Sequence, residues 1–97
     1  MSVKELVTRY VASVEQVLRE LAVVENLQSI GPDATRKVVE SARAYLDDAK
    51  YYKDKGKLAV SLTSIAYCEG LLDALRLLEA VRFEWPMKAI AKKGRRS

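Results

Sequence analysis

The feature that most restricts what this chain can fold into is the spacing of its apolar residues. Two long segments carry them at alternating steps of three and four, a third is apolar through most of its length, and the segments are divided by Gly31-Pro32 and by Gly56. Steps of three and four return to one face of an α-helix and match no strand alternation. In the first segment Val3, Val7, Tyr10, Val14, Val17, Leu21 and Val24 form the stripe, and Val11 and Leu18 widen it. Ser2 and Glu5 stand at capping-box spacing ahead of it, so each side chain reaches an orphan amide of the first turn. This helix is expected to run to about 27–30, where Gly31-Pro32 removes an amide and allows a reversal.

The second helix is expected to start at Pro32 or Asp33, with Val38, Ala42, Tyr45, Ala49 and Tyr52 as its buried stripe. Gly56 is a natural left-handed cap for its end, and Lys53 and Lys55 sit favourably near the negative pole of the helix dipole. The third is expected from about Leu58 to about Phe83, before Pro86. Seventeen of the twenty-six positions from 58 to 83 are apolar, which predicts a helix largely covered by its neighbours. Connections this short make consecutive helices antiparallel. The expected fold is therefore all-α, an up-and-down antiparallel three-helix bundle over residues 1–86, followed by a disordered basic C-terminal tail, 87–97.

Charge sharpens that division. Lys88, Lys92, Lys93, Arg95 and Arg96 have no acid among them, leaving residues 1–87 with twelve cations against thirteen acids. The folded part is neutral, and only the tail is basic. No basic leader followed by an apolar stretch opens the chain, and no unbroken apolar run approaches the ~20 residues of a membrane span, so a cytoplasmic protein off the membrane is expected. Cys68 is the lone cysteine and histidine is absent, which leaves no intrachain disulfide and no Cys/His metal site. A phosphate-binding glycine loop and a nucleophile paired with a base are also missing, so neither a cofactor nor catalysis is expected.

An antiparallel pair turning at Gly56 opposes residues whose numbers sum to about 112, setting Ala42 near Gly70, Tyr45 near Tyr67 and Asp48 near Ser64. Glycine inside a helix costs about 1 kcal/mol against alanine. Close backbone approach of Gly70 to Ala42 would account for it, with approach of a ligand as the competing reading. Asp48 shares a face with Tyr45 and Tyr52. It reads as a buried clamp on Ser64 and Tyr67, or as a carboxylate in a ligand pocket. Asp73, Arg76 and Glu69 read as a solvated ion-pair strip. Tyr45, Tyr51, Tyr52 and Tyr67 read as one aromatic cluster near the turn, its alternative role a base-stacking platform served by Lys50, Lys53, Lys55 and Lys57.

Two stretches also carry a family pattern: Tyr45-Leu46-Asp47-Asp48-Ala49-Lys50-Tyr51-Tyr52-Lys53-Asp54-Lys55-Gly56, and Tyr67-Cys68-Glu69-Gly70-Leu71-Leu72-Asp73-Ala74. Together they resemble the archaeal domain-of-unknown-function family 357, whose pattern is Tyr-x-x-Asp-Ala-x-x-aromatic, a Gly-capped turn, then Tyr-x-x-Gly-x-Leu-Asp-Ala. The resemblance covers roughly 40–80. It implies a short three-helix bundle from an archaeal cytoplasm and implies no activity. Lys57 departs from it where an acid commonly follows the glycine, and Cys68-Glu69 departs where alanine and often histidine stand. A looser similarity is to helical nucleotidyltransferase-associated domains. Those that cut RNA use an arginine and a histidine, and a chain without histidine cannot inherit that chemistry.

Two functions follow as expectations, ahead of a third, an acid-assisted small-molecule site around Asp48 and Asp73. The first is a non-catalytic protein–protein interaction module, self-associating or binding another protein, because helices 1 and 3 carry wider apolar stripes than a lean bundle needs. The second is a nucleic-acid- or ribosome-associated accessory protein acting through the tail.

Overall fold

A computed structural model describes residues 2–24 and 30–86. The chain is an all-α bundle of three helices, α1 (Val3–Glu20), α2 (Pro32–Asp54) and α3 (Leu58–Leu77). Two short strands, β1 (Ala22–Val23) and β2 (Val81–Arg82), pair antiparallel with Ala22 opposite Arg82 and Val23 opposite Val81. The expected tail lies outside the described residues.

α1 opens on the capping box that the sequence predicts, Ser2 Oγ accepting from the Glu5 amide at 3.1 Å and Glu5 Oε1 from the Ser2 amide at 3.0 Å. It closes earlier than expected, at Glu20 rather than near 27–30. At that end Arg43 of α2 donates to the orphan carbonyl of Leu18 at 3.3 Å, and the backbone turns extended at Leu21 to enter β1. Val7, Val11, Val14, Val17 and Leu18 form its buried stripe, while Val3 stays half exposed.

The α2–α3 turn is a Schellman motif: the Lys57 amide donates to Tyr52 O at 2.9 Å and the Gly56 amide to Lys53 O at 3.0 Å. Gly56 sits at φ +78°, as its role as a left-handed cap requires. The same motif ends α3, where Ala80 N–H reaches Leu75 O and Glu79 N–H reaches Arg76 O, both at 2.9 Å. Here the left-handed residue is Glu79, at φ 63°. α3 therefore stops at Leu77 and does not continue to Phe83. Ending there lets Ala80 and Val81 become buried and lets Val24 N–H donate to Ala80 O at 2.9 Å.

The buried line of α2 is Thr35, Val39, Ala42, Leu46 and Ala49. It is rotated from the expected stripe, leaving Val38, Tyr45 and Tyr52 at the margin, only partly buried. Facing it on α3 are Ser61, Ile65, Cys68, Leu72 and Leu75. Small residues let the two backbones approach, and two donors fasten them. Ser61 Oγ donates to Ala49 O at 2.6 Å, and Cys68 Sγ to Ala42 O at 3.0 Å. Both bonds join residues whose numbers sum to 110, so the antiparallel register is close to the expected one. α1 lies across the same pair and adds the Lys50–Glu15 ion pair at 2.7 Å.

Candidate functional site

Two residues along a helix turn through about 200°. With Cys68 against Ala42, Gly70 must look away, and it does: it is exposed, and a Cβ built there meets nothing within 4 Å. The expected approach of Gly70 to Ala42 is thus corrected, because the seam glycine's place is held by Cys68. Asp48 is corrected in the same way. The α2 stripe centres on Leu46 rather than Tyr45, so Asp48 is exposed and is not a buried clamp on Ser64 and Tyr67.

Tyr45 and Tyr67 do meet, ring centroids 4.5 Å apart and planes at 85°. Tyr51 and Tyr52 make a second pair at 5.1 Å, with Lys55 Nζ 5.3 Å from the Tyr51 centroid. The expected single cluster is therefore two edge-to-face pairs. Of the lysines beside them, Lys50 is already held by Glu15, whose hydrogen bond and charge raise the Lys50 pKa above its usual value.

Asp73 is a fastening point. Its Oδ1 accepts from Arg76 Nε at 3.0 Å and from Trp85 Nε1 at 3.1 Å. The ion-pair strip read from the sequence thus also ties down the segment after β2, where Phe83 and Trp85 stack edge to face at 5.0 Å. Tail residues Lys88, Lys92, Lys93, Arg95 and Arg96 lie outside the described residues.

Cys68 is wholly buried, and burial, with a smaller contribution from Glu69, pushes its thiol up to about 12. A reactive cysteine needs the opposite setting, an exposed and electropositive one that favours the thiolate. Among the described residues no group of three or more His, Cys, Asp or Glu is placed to hold a metal.

The outward face of α3 carries the surplus of the wide apolar stripe read from the sequence. The helix is not largely covered. Ala59, Thr63, Ala66, Gly70 and Ala74 run down the centre of that face, with Val60, Tyr67, Leu77 and Leu78 beside them, and all nine are exposed. None is charged, although a solvated surface is about a quarter to a third charged residues and nine positions would carry two or three. Thr63 Oγ1 is turned back onto Ala59 O at 3.0 Å, so even the hydroxyl is spent within the helix. Leu77 is 69% exposed and Tyr67 55%. At the α2 margin the Tyr45–Tyr67 pair separates two open grooves. One, about 250 Å³, is lined by Lys37, Val38, Ser41, Tyr45, Tyr67 and Leu71. The other, about 610 Å³, is lined by Tyr45, Leu62, Thr63, Ser64, Ala66 and Tyr67. By length and composition alone α3 is apolar enough to cross a bilayer, with a mean hydropathy of 1.4 over its best window, a property that short apolar runs in the sequence conceal.

The sequence profile of a family described as protein of unknown function, DUF357, matches residues 9–81, from the second turn of α1 through the first residue of β2. No curated protein and no solved structure matches the chain.

Proposed function

The chain belongs to the DUF357 family of proteins of unknown function, and from that premise we propose that it is a non-catalytic, cytoplasmic protein–protein interaction module that acts by self-association. The observation that carries this reading is the uncharged outward face of α3, nine exposed positions on a helix whose buried residues lie on the opposite side. Exposed apolar patches of this kind mark interaction surfaces. Light scattering at micromolar concentration tests it: a mass twice the 10.9 kDa of one chain supports the reading, and a strict monomer at high concentration removes it. Catalysis is disfavoured by the protonated, buried state of Cys68, the residue type best suited to a nucleophile in this chain.

A second reading, a nucleic-acid accessory role, is favoured by the five cations between Lys88 and Arg96 and by the Asp73–Trp85 bond that fastens the chain just before them. Five cations could neutralise several phosphates, each adding about 0.9 to the slope of log affinity against log salt on duplex DNA. Under this reading a chain ending at Met87 loses its retention on RNA at low salt. Equal retention with and without the tail excludes it. Pull-down from cell extract separates the two readings, since a protein partner survives RNase digestion and a nucleic-acid one does not.

A further inference from the structure

We infer that residues 80–86 form a strap that opens from the bundle as a unit, about a hinge at Glu79 and against a latch at Asp73, while the three helices stay folded. Little backbone pairing holds it among the described residues. β2 meets β1 through two residues, Val24 N–H donates to Ala80 O at 2.9 Å, and Trp85 Nε1 donates to Asp73 Oδ1 at 3.1 Å. A two-stranded ribbon this short is marginal by itself, so packing and the latch keep the strap closed. Ala80 and Val81 belong to the core, and Phe83 and Trp85 lie partly buried against it. All four leave the core together when the ribbon parts.

Glu79 gives the opening its hinge and its bias. Its φ of 63° is left-handed, and it is the one described residue, glycine aside, that adopts this conformation. A residue with a Cβ is strained there, whereas Gly56, at the matching place in the α2–α3 turn, is not. Strain of this kind persists only where surrounding contacts over-determine it. The Schellman bonds from Glu79 N–H to Arg76 O and from Ala80 N–H to Leu75 O hold while Glu79 stays left-handed. The closed strap therefore keeps Glu79 in a conformation that the open one releases.

Asp73 makes the latch easy to leave. The same Oδ1 accepts from Arg76 Nε at 3.0 Å and lies 2.9 Å from Arg76 Nη2, so the carboxylate stays paired when Trp85 departs. Parting α2 from α3 instead breaks the Ser61–Ala49 and Cys68–Ala42 bonds inside the core and uncovers Ile65 and Leu72. Segments with less burial open first, which sets the order as strap before helices. What moves with the strap is Pro86, the last described residue, and the basic segment from Lys88 to Arg96 follows it in sequence. The latch thus governs the point from which those cations leave the fold.

Trp85 is the only tryptophan, so its emission reports the strap while circular dichroism reports the helices. The full chain is titrated with urea at one protein concentration. In wild type the Trp85 emission should shift to the red at a lower urea midpoint than the one at which the helical signal is lost. Glu79→Gly should move the Trp85 midpoint upward and Asp73→Ala should move it downward, each displacing the helical midpoint less. Native-state hydrogen exchange reads the same opening in wild type without a variant. The Val24 amide, bonded to the strap at Ala80, should exchange at least about tenfold faster than the Leu72 amide in the middle of α3. Emission and circular dichroism transitions that coincide in wild type and both variants, with Val24 and Leu72 exchanging at one rate, would show strap and bundle unfolding together and overturn the proposal. A separate strap transition that Glu79→Gly leaves in place would overturn the hinge.

Discussion

The two sides of α3 have similar hydropathy and opposite circumstances. The inner side, Ser61, Ile65, Cys68, Leu72 and Leu75, is buried against the rest of the bundle and bonded to α2 through a hydroxyl and a thiol. The outer side has the same freedom from charge and no covering among the described residues. What the contrast teaches is that hydropathy alone does not mark the core of a small bundle. Donors placed to reach a neighbouring carbonyl mark it better, because they are useful only where two backbones are close.

The largest effect that can break this contrast comes from truncating one residue on each side. Leu72→Ala should cost about 2–5 kcal/mol in chemical denaturation, the range for emptying a packed site. Leu77→Ala, at a position 69% exposed, should stay within about 0.5 kcal/mol in the monomer. Equal losses would mean that the outer side also holds the fold.

A smaller effect is tied to pH. The Cys68 thiol ionises near 9.0 in an unfolded chain and is raised to about 12 in the fold. The folded form binds the proton more tightly, so the stability this gives is complete below pH 9 and is lost as pH climbs toward 12. Cys68→Ser keeps a donor for Ala42 O without a thiol that titrates in this window. Its denaturation midpoint should fall less steeply than that of wild type between pH 8 and about 11. Parallel slopes would show that the thiol is not held neutral in the seam. Reagents for exposed thiols should likewise leave native Cys68 unmodified at neutral pH.

The smallest effect concerns the outer side. Gly70→Ala should raise the stability of the dilute monomer by up to about 1 kcal/mol, because a helix-interior glycine is replaced in open space. A loss instead would restore the close intramolecular approach that the sequence suggests.

Much of this architecture is legible in the sequence, and the places where it is not have physical reasons. The capping box at Ser2 and Glu5 and the left-handed Gly56 are local signals, and local signals transfer directly to structure. The Tyr45–Tyr67 meeting follows from the turn and the antiparallel register. The rotation of α2 that exposes Asp48 depends on whether its stripe is centred on Leu46 or on Tyr45, a choice made by what packs from α1 and α3. The end of α3 at Glu79 carries no glycine to announce it. A signal was nonetheless present just beyond, since Val81, Arg82, Phe83, Glu84 and Trp85 alternate apolar and charged in the manner of a half-buried strand. The outer face of α3 was legible only as a stripe wider than a lean bundle needs, because an apolar helix reads as covered whether its cover comes from the same chain or from another.

The most direct test of the account is the thermal midpoint as a function of protein concentration. A partner that binds only the folded state raises that midpoint by mass action. If the inner side of α3 holds the fold and the outer side holds a second copy, wild type should melt several degrees higher across a hundredfold increase in concentration. Gly70→Leu should melt at one temperature throughout. A wild-type midpoint independent of concentration, in a chain that remains 10.9 kDa across that range, would contradict the account.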